Sequence, residues 1–139
     1  MALRWNHSNE VFVPEMDAEH RVLFGMVEEL RRTVNSKTGS AKVADGIRAL
    51  LSETQEHFGH EERLMSNSAF WGAKWHTAQH GSALKHLRNA LKAYEKGDGA
   101  KAERELKAMG SWLNDHTSIA DRILGAFLRN HDRETASHR

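Results

Sequence analysis

Apolar residues recur at three- and four-residue intervals through four long segments of the chain, the spacing that collects them on one face of an α-helix. The pattern predicts helices over residues 17–34, 41–65, 70–95 and 100–128. The predicted buried stripes are Val22, Leu23, Met26, Val27 and Leu30; Val43, Ile47, Leu50, Leu51, Thr54 and Phe58; Leu84, Leu87, Leu91 and Tyr94; and Leu106, Met109, Leu113, Ile123, Leu124 and Phe127. Strands have little support, because no segment alternates apolar and polar residues between turn signals.

The breaks between these segments are short and rich in turn-forming residues. The chain is interrupted at "NSKTGS", and "GDG" predicts a tight turn before the last helix. Pro14 lies in a predicted N-terminal arm, residues 1–16, and Asp17 is the predicted N-cap of the first helix. A polar tail covers residues 131–139. Long helices with short connections predict an all-α, antiparallel up-down-up-down four-helix bundle formed by a single domain, residues 1–130.

The composition excludes several classes of function. None of the 139 residues is cysteine, so disulfides, thiolate zinc sites, iron–sulfur clusters and thiol catalysis are ruled out. A net charge of +1 with interspersed charges predicts no nucleic-acid partner. No apolar run has the length of a signal peptide or a membrane span, which predicts a cytoplasmic protein without a membrane anchor. The ten histidines are the unusual feature.

The stretch "HFGHEERLM" places two histidines and two glutamates in six consecutive positions. Residues four apart share a helix face, so His57 and Glu61 point in the same direction. His60 and Glu62 fall on other faces, where we expect them to meet solvent or to contact a site from outside. The histidines that we do not expect in a site are His7, His86, His131 and His138.

Every predicted helix carries at least one histidine, and two helices add a carboxylate. The candidate metal-binding residues are His20, His57, Glu61, His76, His80, His116 and Asp121. A single helical histidine is usually a surface or core residue, whereas a set on all four helices predicts a site. The last two residues are five apart, about 140° around a helix, so the carboxylate of Asp121 has to reach back to join His116.

Five imidazoles and two carboxylates are too many for a closed tetrahedral zinc site, which has four ligands. In an up-down bundle, inward-facing groups from different helices can converge at one depth of the core. The set suits two metal ions joined by bridging carboxylates, and iron accepts this mixture of nitrogen and oxygen ligands.

Five blocks of sequence together resemble the bacterial hemerythrins, non-haem di-iron oxygen-binding four-helix bundles. The blocks are Trp5 in the arm, "DAEH" at 17–20, "HFGHEERLM" at 57–65, "HTAQH" at 76–80 and "WLNDHTSIAD" at 112–121. They occur in the family's order and at its spacing over about residues 5–128. Alone, "DAEH" would be a weak signal, but the full set is specific.

The resemblance implies that the seven candidate residues are ligands of two iron ions. The histidines of the third and fourth helices would bind one ion and those of the first two helices the other. Glu61 and Asp121 would each give one oxygen to both ions, and a hydroxo or oxo group would complete the bridge between ions that change between Fe2+ and Fe3+. The implied function is reversible dioxygen binding at a vacant position beside His20 and His57, for oxygen transport, storage or delivery.

The resemblance also implies an oxygen pocket with apolar walls. Its predicted residues are Leu23, Phe58, Trp112, Leu113 and Thr117. Thr117 departs from the family, in which isoleucine commonly follows the histidine of the fourth helix. A hydroxyl near the pocket would be expected to shorten the lifetime of the oxygenated form.

Two other interpretations of the sequence stay open. The chain could act as an oxygen- or redox-sensing module, or as a di-iron enzyme with peroxidase- or oxidase-like activity. Ferritin-like oxidases use Glu-x-x-His, which this sequence lacks, and "HEERL" has Leu64 where a zinc protease needs its second histidine. We therefore expect an oxygen-binding protein rather than an enzyme. The sequence does not identify its partner, which could be an oxygen-consuming enzyme or a sensory protein.

Overall fold

The computed structural model describes residues 2–35 and 40–137, which form helices and contain no strand. The α-helices are α1 (Pro14–Thr33), α2 (Ser40–Asn67), α3 (Ala73–Glu95), α4 (Gly99–Ser118) and α5 (Ala120–Ser137). Helix α1 packs against α2 and α4, and α3 packs against the same two helices. Helix α5 continues α4 after a one-residue break, so the predicted all-α four-helix bundle is confirmed. No helix in the described ranges is long and apolar enough to cross a membrane.

Helix α1 begins three residues earlier than the sequence pattern predicts. Pro14 occupies the first helical turn, where its fixed φ suits the helix and its missing N–H costs nothing. The N-cap is Val13, so the assignment of Asp17 as the N-cap is wrong. The buried carboxylate of Asp17 instead accepts hydrogen bonds from the backbone N–H groups of Val11 (2.9 Å) and Phe12 (3.2 Å), and it fixes the arm to the helix.

The fourth predicted helix is two helices. Helix α4 ends at Ser118, and Ile119 has φ −118° and ψ −75° before α5 begins. The hydroxyls of Thr117 and Ser118 donate to the carbonyls four residues earlier, at 2.9 and 2.8 Å, a pattern that bends helices. Helix α5 then continues to Ser137, so most of the predicted polar tail is helical; residues 138 and 139 lie outside the described ranges.

The N-terminal arm lies along α4 and α5. It contains one 3₁₀ turn, His7–Asn9, and the buried Asn9 side chain donates to the side chains of Asn114 (3.1 Å) and Thr117 (3.0 Å). A Cβ at Gly125 would lie 2.5 Å from the carbonyl oxygen of Val11. Glycine is therefore required where the arm crosses α5.

Most of the predicted apolar stripe is buried in one core shared by α1 to α4. A second cluster, formed by Val11, Val13, Met16, Met65, Phe70, Leu124 and Leu128, lies under the arm. Two stripe residues are exposed against the prediction: Val22 by 50% and Ile123 by 39%. Each is next to a fully buried leucine in sequence, and a helix turns adjacent side chains about 100° apart.

Candidate metal centre

The seven predicted ligands converge inside one half of the bundle. His20 lies early in α1, His57 and Glu61 late in α2, and the remaining ligands lie early in α3, late in α4 and early in α5. Because neighbouring helices run in opposite directions, early and late positions on them reach the same depth. All seven side chains are at most 4% exposed.

Glu61 divides its two carboxylate oxygens between two groups of histidines. Its Oε2 lies 2.6 Å from Nε2 of His57 and 3.3 Å from Nε2 of His20. Its Oε1 lies 2.8 Å from Nε2 of His76 and 3.1 Å from Nε2 of His80. One oxygen thus serves the histidines of α1 and α2, and the other serves those of α3.

Asp121 repeats this division from the opposite side. Its Oδ2 lies 3.1 Å from Nε2 of His20, whereas its Oδ1 lies 3.0 Å from Nε2 of His76 and 3.2 Å from Nε2 of His116. The two carboxylates therefore separate a two-nitrogen side, His20 and His57, from a three-nitrogen side. Two groups of donor atoms have the proximity that a metal ion requires, one on each side.

The break between α4 and α5 accounts for the spacing of five residues between His116 and Asp121. In a continuous helix these two side chains would point about 140° apart. The irregular backbone at Ile119 resets the helical phase, so that both side chains enter the core and come within 3.2 Å. The sequence pattern shows the unusual spacing but does not show the break that makes it work.

One imidazole on the two-nitrogen side, that of His57, is oriented from outside by a residue that sequence reasoning missed. Glu19 accepts from Nδ1 of His57 at 2.6 Å and lies 2.8 Å from Nδ1 of His60. A hydrogen on Nδ1 leaves Nε2 of His57 with a free lone pair toward the centre. His60 thus contacts the site from outside, as predicted for its helix face. The signal for Glu19 was its place beside His20, but only the packing of α1 on α2 brings it to His57.

Two imidazoles on the three-nitrogen side also have outer partners. Nδ1 of His80 lies 3.0 Å from the carboxylate of Glu62, which confirms the predicted outside contact, and Nδ1 of His116 lies 2.9 Å from Oε1 of Gln79. Gln79 was not predicted, because a glutamine on a helix carries no distinctive spacing. The histidines expected to stay outside the site do so within the described residues: His7 pairs with Glu10, His86 with Glu105, and His131 stacks on Phe127.

The electrostatics of the site favour positive charge between the two carboxylates. Burial alone would lower the pKa of His20 and of His76, but Asp121 and Glu61 outweigh it and raise these pKa values to about 10 and about 9. Burial alone would raise the pKa of Glu61, but the imidazoles around it, above all that of His57, hold it well below its usual range. Burial would likewise raise the pKa of Asp121, but the imidazoles of His116 and His20 lower it, so both carboxylates are anionic at neutral pH and attract cations.

The donor atoms fit metal ions better than they fit one another. Both oxygens of Asp121 are buried without a hydrogen bond, although three imidazole nitrogens lie 3.0–3.2 Å away. Nε2 of His76 also lies 3.2 Å from Nε2 of His116, two nitrogens that cannot both donate to each other. An unpaired buried carboxylate is costly, and metal ions between these oxygens and nitrogens would remove that cost.

Apolar side chains close the site. Phe58 stacks on His80, with ring centroids 3.8 Å apart, and Trp112 stacks on His116 at 4.3 Å. Leu23 and Leu113 are buried in the core shared by the four helices. These positions agree with walls that limit water around the centre, and their assignment to an oxygen pocket stays a prediction.

The hydroxyl of Thr117 is committed to other partners. It donates to the carbonyl oxygen of Leu113 at 2.9 Å and accepts from the side-chain amide of Asn9 at 3.0 Å. Its one hydrogen is therefore used within α4, and its oxygen faces the N-terminal arm. The basis for expecting a shorter-lived oxygenated form is weakened, because that expectation required a hydroxyl free to donate into the pocket.

Comparison with known proteins agrees with this geometry. Residues 11–128 match the family model described as the hemerythrin HHE cation binding domain. The chain is 24% identical to a myohemerythrin of Theromyzon tessulatum over 121 residues, 85% of this chain and 87% of that protein. It is 20% identical to a bacteriohemerythrin of Ralstonia nicotianae over 126 residues, 91% of this chain and 88% of that protein.

A solved structure of a wild-type hemerythrin has the same fold. It is 21% identical, with a TM-score of 0.81 over 92% of this chain and 98% of its own. The family model covers most of the chain and includes all seven convergent donors. This chain belongs to the hemerythrin HHE cation-binding family.

Proposed function

We propose that this protein binds dioxygen reversibly at a centre of two iron ions, and that it serves as an oxygen carrier, store or delivery protein. The division of both carboxylates between a two-nitrogen and a three-nitrogen group carries the proposal. That division matches two adjacent ions that share Glu61 and Asp121. The myohemerythrins and the bacteriohemerythrin that the chain resembles support iron as the metal and dioxygen as the ligand.

The two sides of the centre offer different numbers of donors. Counting one oxygen from each carboxylate, the three-nitrogen side provides five protein donors and the two-nitrogen side provides four. His20 and His57 would therefore leave one ion with fewer protein donors than His76, His80 and His116 would give the other, and an added ligand would bind on the side of His20 and His57. The iron ions, when bound, supply the electrons for reversible oxygen uptake.

The residues of this chain hold the centre and exclude water from it. Glu19 keeps the hydrogen of His57 on Nδ1, so that Nε2 stays available as a ligand. Phe58 and Trp112 cover two imidazoles of the three-nitrogen side. Apolar cover at these positions would keep water and protons away from the bound metal ions, which favours reversible binding of a ligand. These features support an oxygen-binding protein rather than an enzyme.

Metal analysis and visible–ultraviolet spectra of protein expressed with iron test the proposal. We expect two iron ions per chain, and a band that appears on aeration of the reduced protein and disappears on removal of oxygen. Glu61→Gln and His57→Ala should abolish this band. His60 contacts the site only through Glu19, and His86 pairs with the remote Glu105. His60→Ala and His86→Ala should therefore both retain the band.

Each result distinguishes a different error. One zinc ion per chain would contradict the two-metal assignment. If two iron ions bind but oxygen does not bind reversibly, the metal-site assignment would stand and the proposed oxygen-binding function would be wrong. Loss of iron in His60→Ala equal to that in His57→Ala would show that the wrong face of α2 had been assigned to the centre.

A further inference from the structure

A surface groove of about 800 Å³ lies between α1 and α2. Its walls are mainly apolar, with Val22, Met26 and Leu30 from α1 and Val43 and Ala49 from α2. This volume is within the range of about 300–1,000 Å³ that is usual for small-molecule sites. The exposed side chain of Val22 forms part of the groove wall.

Two glycines shape the groove. A Cβ at Gly46 would lie 2.7 Å from Cδ2 of Leu30, so the glycine allows α2 to approach α1 at this point. A Cβ at Gly25 would meet nothing within 4 Å. The groove is open at Gly25 because this residue has no side chain, and the two helices approach each other most closely where Leu30 meets Gly46.

Two cations flank the groove without acidic partners. The two cations lie at opposite ends of the groove. Because Gly46 contacts Leu30, Lys42 lies near the C-terminal end of α1. Arg21 lies about 13 Å from Leu30 along α1, at about 1.5 Å per residue. Among residues 2–35 and 40–137, neither cation forms an ion pair with a carboxylate. The nearby Glu29 pairs with Arg32 at 2.5 Å, so its charge is already compensated.

Arg21 is better prepared than Lys42 to bind an anionic group. Its guanidinium lies 4.3 Å from the ring centroid of Trp5, which restricts its orientation. A stacked guanidinium keeps its N–H groups in its own plane, where they can form two parallel hydrogen bonds to one carboxylate. The groove thus presents a carboxylate-binding group at one end and an apolar trough beside it.

We propose that the α1–α2 groove binds a medium-chain fatty acid such as dodecanoate, with its carboxylate at Arg21 and its acyl chain over Gly25 toward Leu30. This site is separate from the metal centre, and the proposal does not depend on oxygen binding. Charge complementarity favours an anionic amphiphile over a neutral one. The apolar trough favours a medium-length chain over a small anion.

Isothermal titration of the iron-loaded protein with dodecanoate, below its micellar concentration, tests the proposal. We expect one molecule bound per chain, at least tenfold weaker binding of dodecanol, and no detectable binding of acetate. Gly25→Leu should fill the groove and abolish binding, because the added side chain meets only open space. Gly81→Leu is the matched control, since Gly81 is also helical and open, but lies on α3.

Two charge variants locate the carboxylate. Arg21→Gln should weaken dodecanoate binding at least tenfold and leave dodecanol binding unchanged, at equal iron content. Lys42→Gln should have a smaller effect on dodecanoate.

Several results would overturn the proposal. Equal loss in Gly25→Leu and Gly81→Leu would mean that dodecanoate does not bind in the groove. Equal affinities for dodecanoate and dodecanol would remove the role of Arg21. If sedimentation shows a dimer that Gly25→Leu dissociates, and dodecanoate does not bind, the groove is a contact between copies of this chain instead.

Discussion

The half of the bundle that contains the α1–α2 and α3–α4 connections is held together by fully buried apolar side chains such as Ile47, Leu87 and Leu106. In the other half, five imidazoles and the carboxylates of Glu61 and Asp121 are buried around one site. The first arrangement is stabilised by removal of apolar surface from water and needs no ligand. The second removes charged groups from water and leaves Asp121 without hydrogen bonds. The apolar half is thus stabilised without any ligand, whereas the charges buried in the polar half are groups that bound metal ions would compensate.

The largest expected effect comes from a cavity in the apolar half. Ile47 is fully buried and lies about 15 Å along α2 from His57, at about 1.5 Å per residue. We expect Ile47→Ala to lower the free energy of unfolding by about 2–5 kcal/mol. If the halves are independent, urea titrations should show the same loss in iron-loaded and chelator-treated protein. A much larger loss in the iron-loaded protein would show that the two halves are coupled; Val22→Ala, at an exposed site, is the control.

The second prediction concerns pH after a chelator has removed the metal. The pKa values of His20 and His76 are raised to about 10 and about 9, so their protonated forms stabilise the fold fully below about pH 6.5. This contribution is lost as the pH rises through about 9 to 10, and it is on the order of a few kcal/mol. The pKa of Glu61 is lowered, so its contribution is lost instead as the solution becomes acidic.

Thermal unfolding of the chelated protein from pH 5 to 10.5 measures this dependence. We expect the melting temperature to fall above about pH 8.5. The iron-loaded protein should show no such fall, because ligated imidazoles are already neutral. A flat profile for the chelated protein would show that water, rather than the carboxylates, sets the charge of the buried histidines.

The third prediction compares the outer partners of two proposed ligands, His57 and His80. Glu19→Gln keeps the size of the residue that contacts His57 and removes its charge, and Glu62→Gln does the same beside His80. Each should weaken iron binding by about 10–100-fold, since outer carboxylates orient ligands and increase their basicity. Competition with a coloured chelator measures the affinity, and Glu29→Gln is an exposed control on α1. Unchanged affinity in both variants would mean that packing alone orients the imidazoles.

The smallest expected effect is at Thr117. Thr117→Val removes the hydroxyl that accepts from Asn9 and preserves most of the side-chain volume. We expect a loss of about 1–2 kcal/mol in the free energy of unfolding, because the buried amide of Asn9 loses one partner. The oxygenated form should decay at an unchanged rate in air. Slower decay in Thr117→Val would restore the earlier expectation of a hydroxyl that acts in the oxygen pocket.

Much of the fold could be predicted because the apolar periodicity is local and strong. The four-helix arrangement follows from the stripes and the short connections, whereas the helix ends depend on details that the stripes do not contain. Asp17 shows this limit: its residue type suits an N-cap, but the arm presents two N–H groups that its carboxylate satisfies instead. The break at Ile119 was missed because Thr117 and Ser118 are tolerated in continuous helices.

By itself, the sequence determined which residues could converge. Helical phase puts His57 with Glu61 and His76 with His80, and it separates His60 and Glu62 from them; these relations depend only on the fixed rotation per residue. Only the tertiary structure decided how the groups meet. The division of the carboxylate oxygens, the contact of Glu19 with His57, and the groove at Gly25 each join residues from different helices or depend on the space between helices. These relations depend on the separation and register of whole helices, which many distant side chains set together through packing.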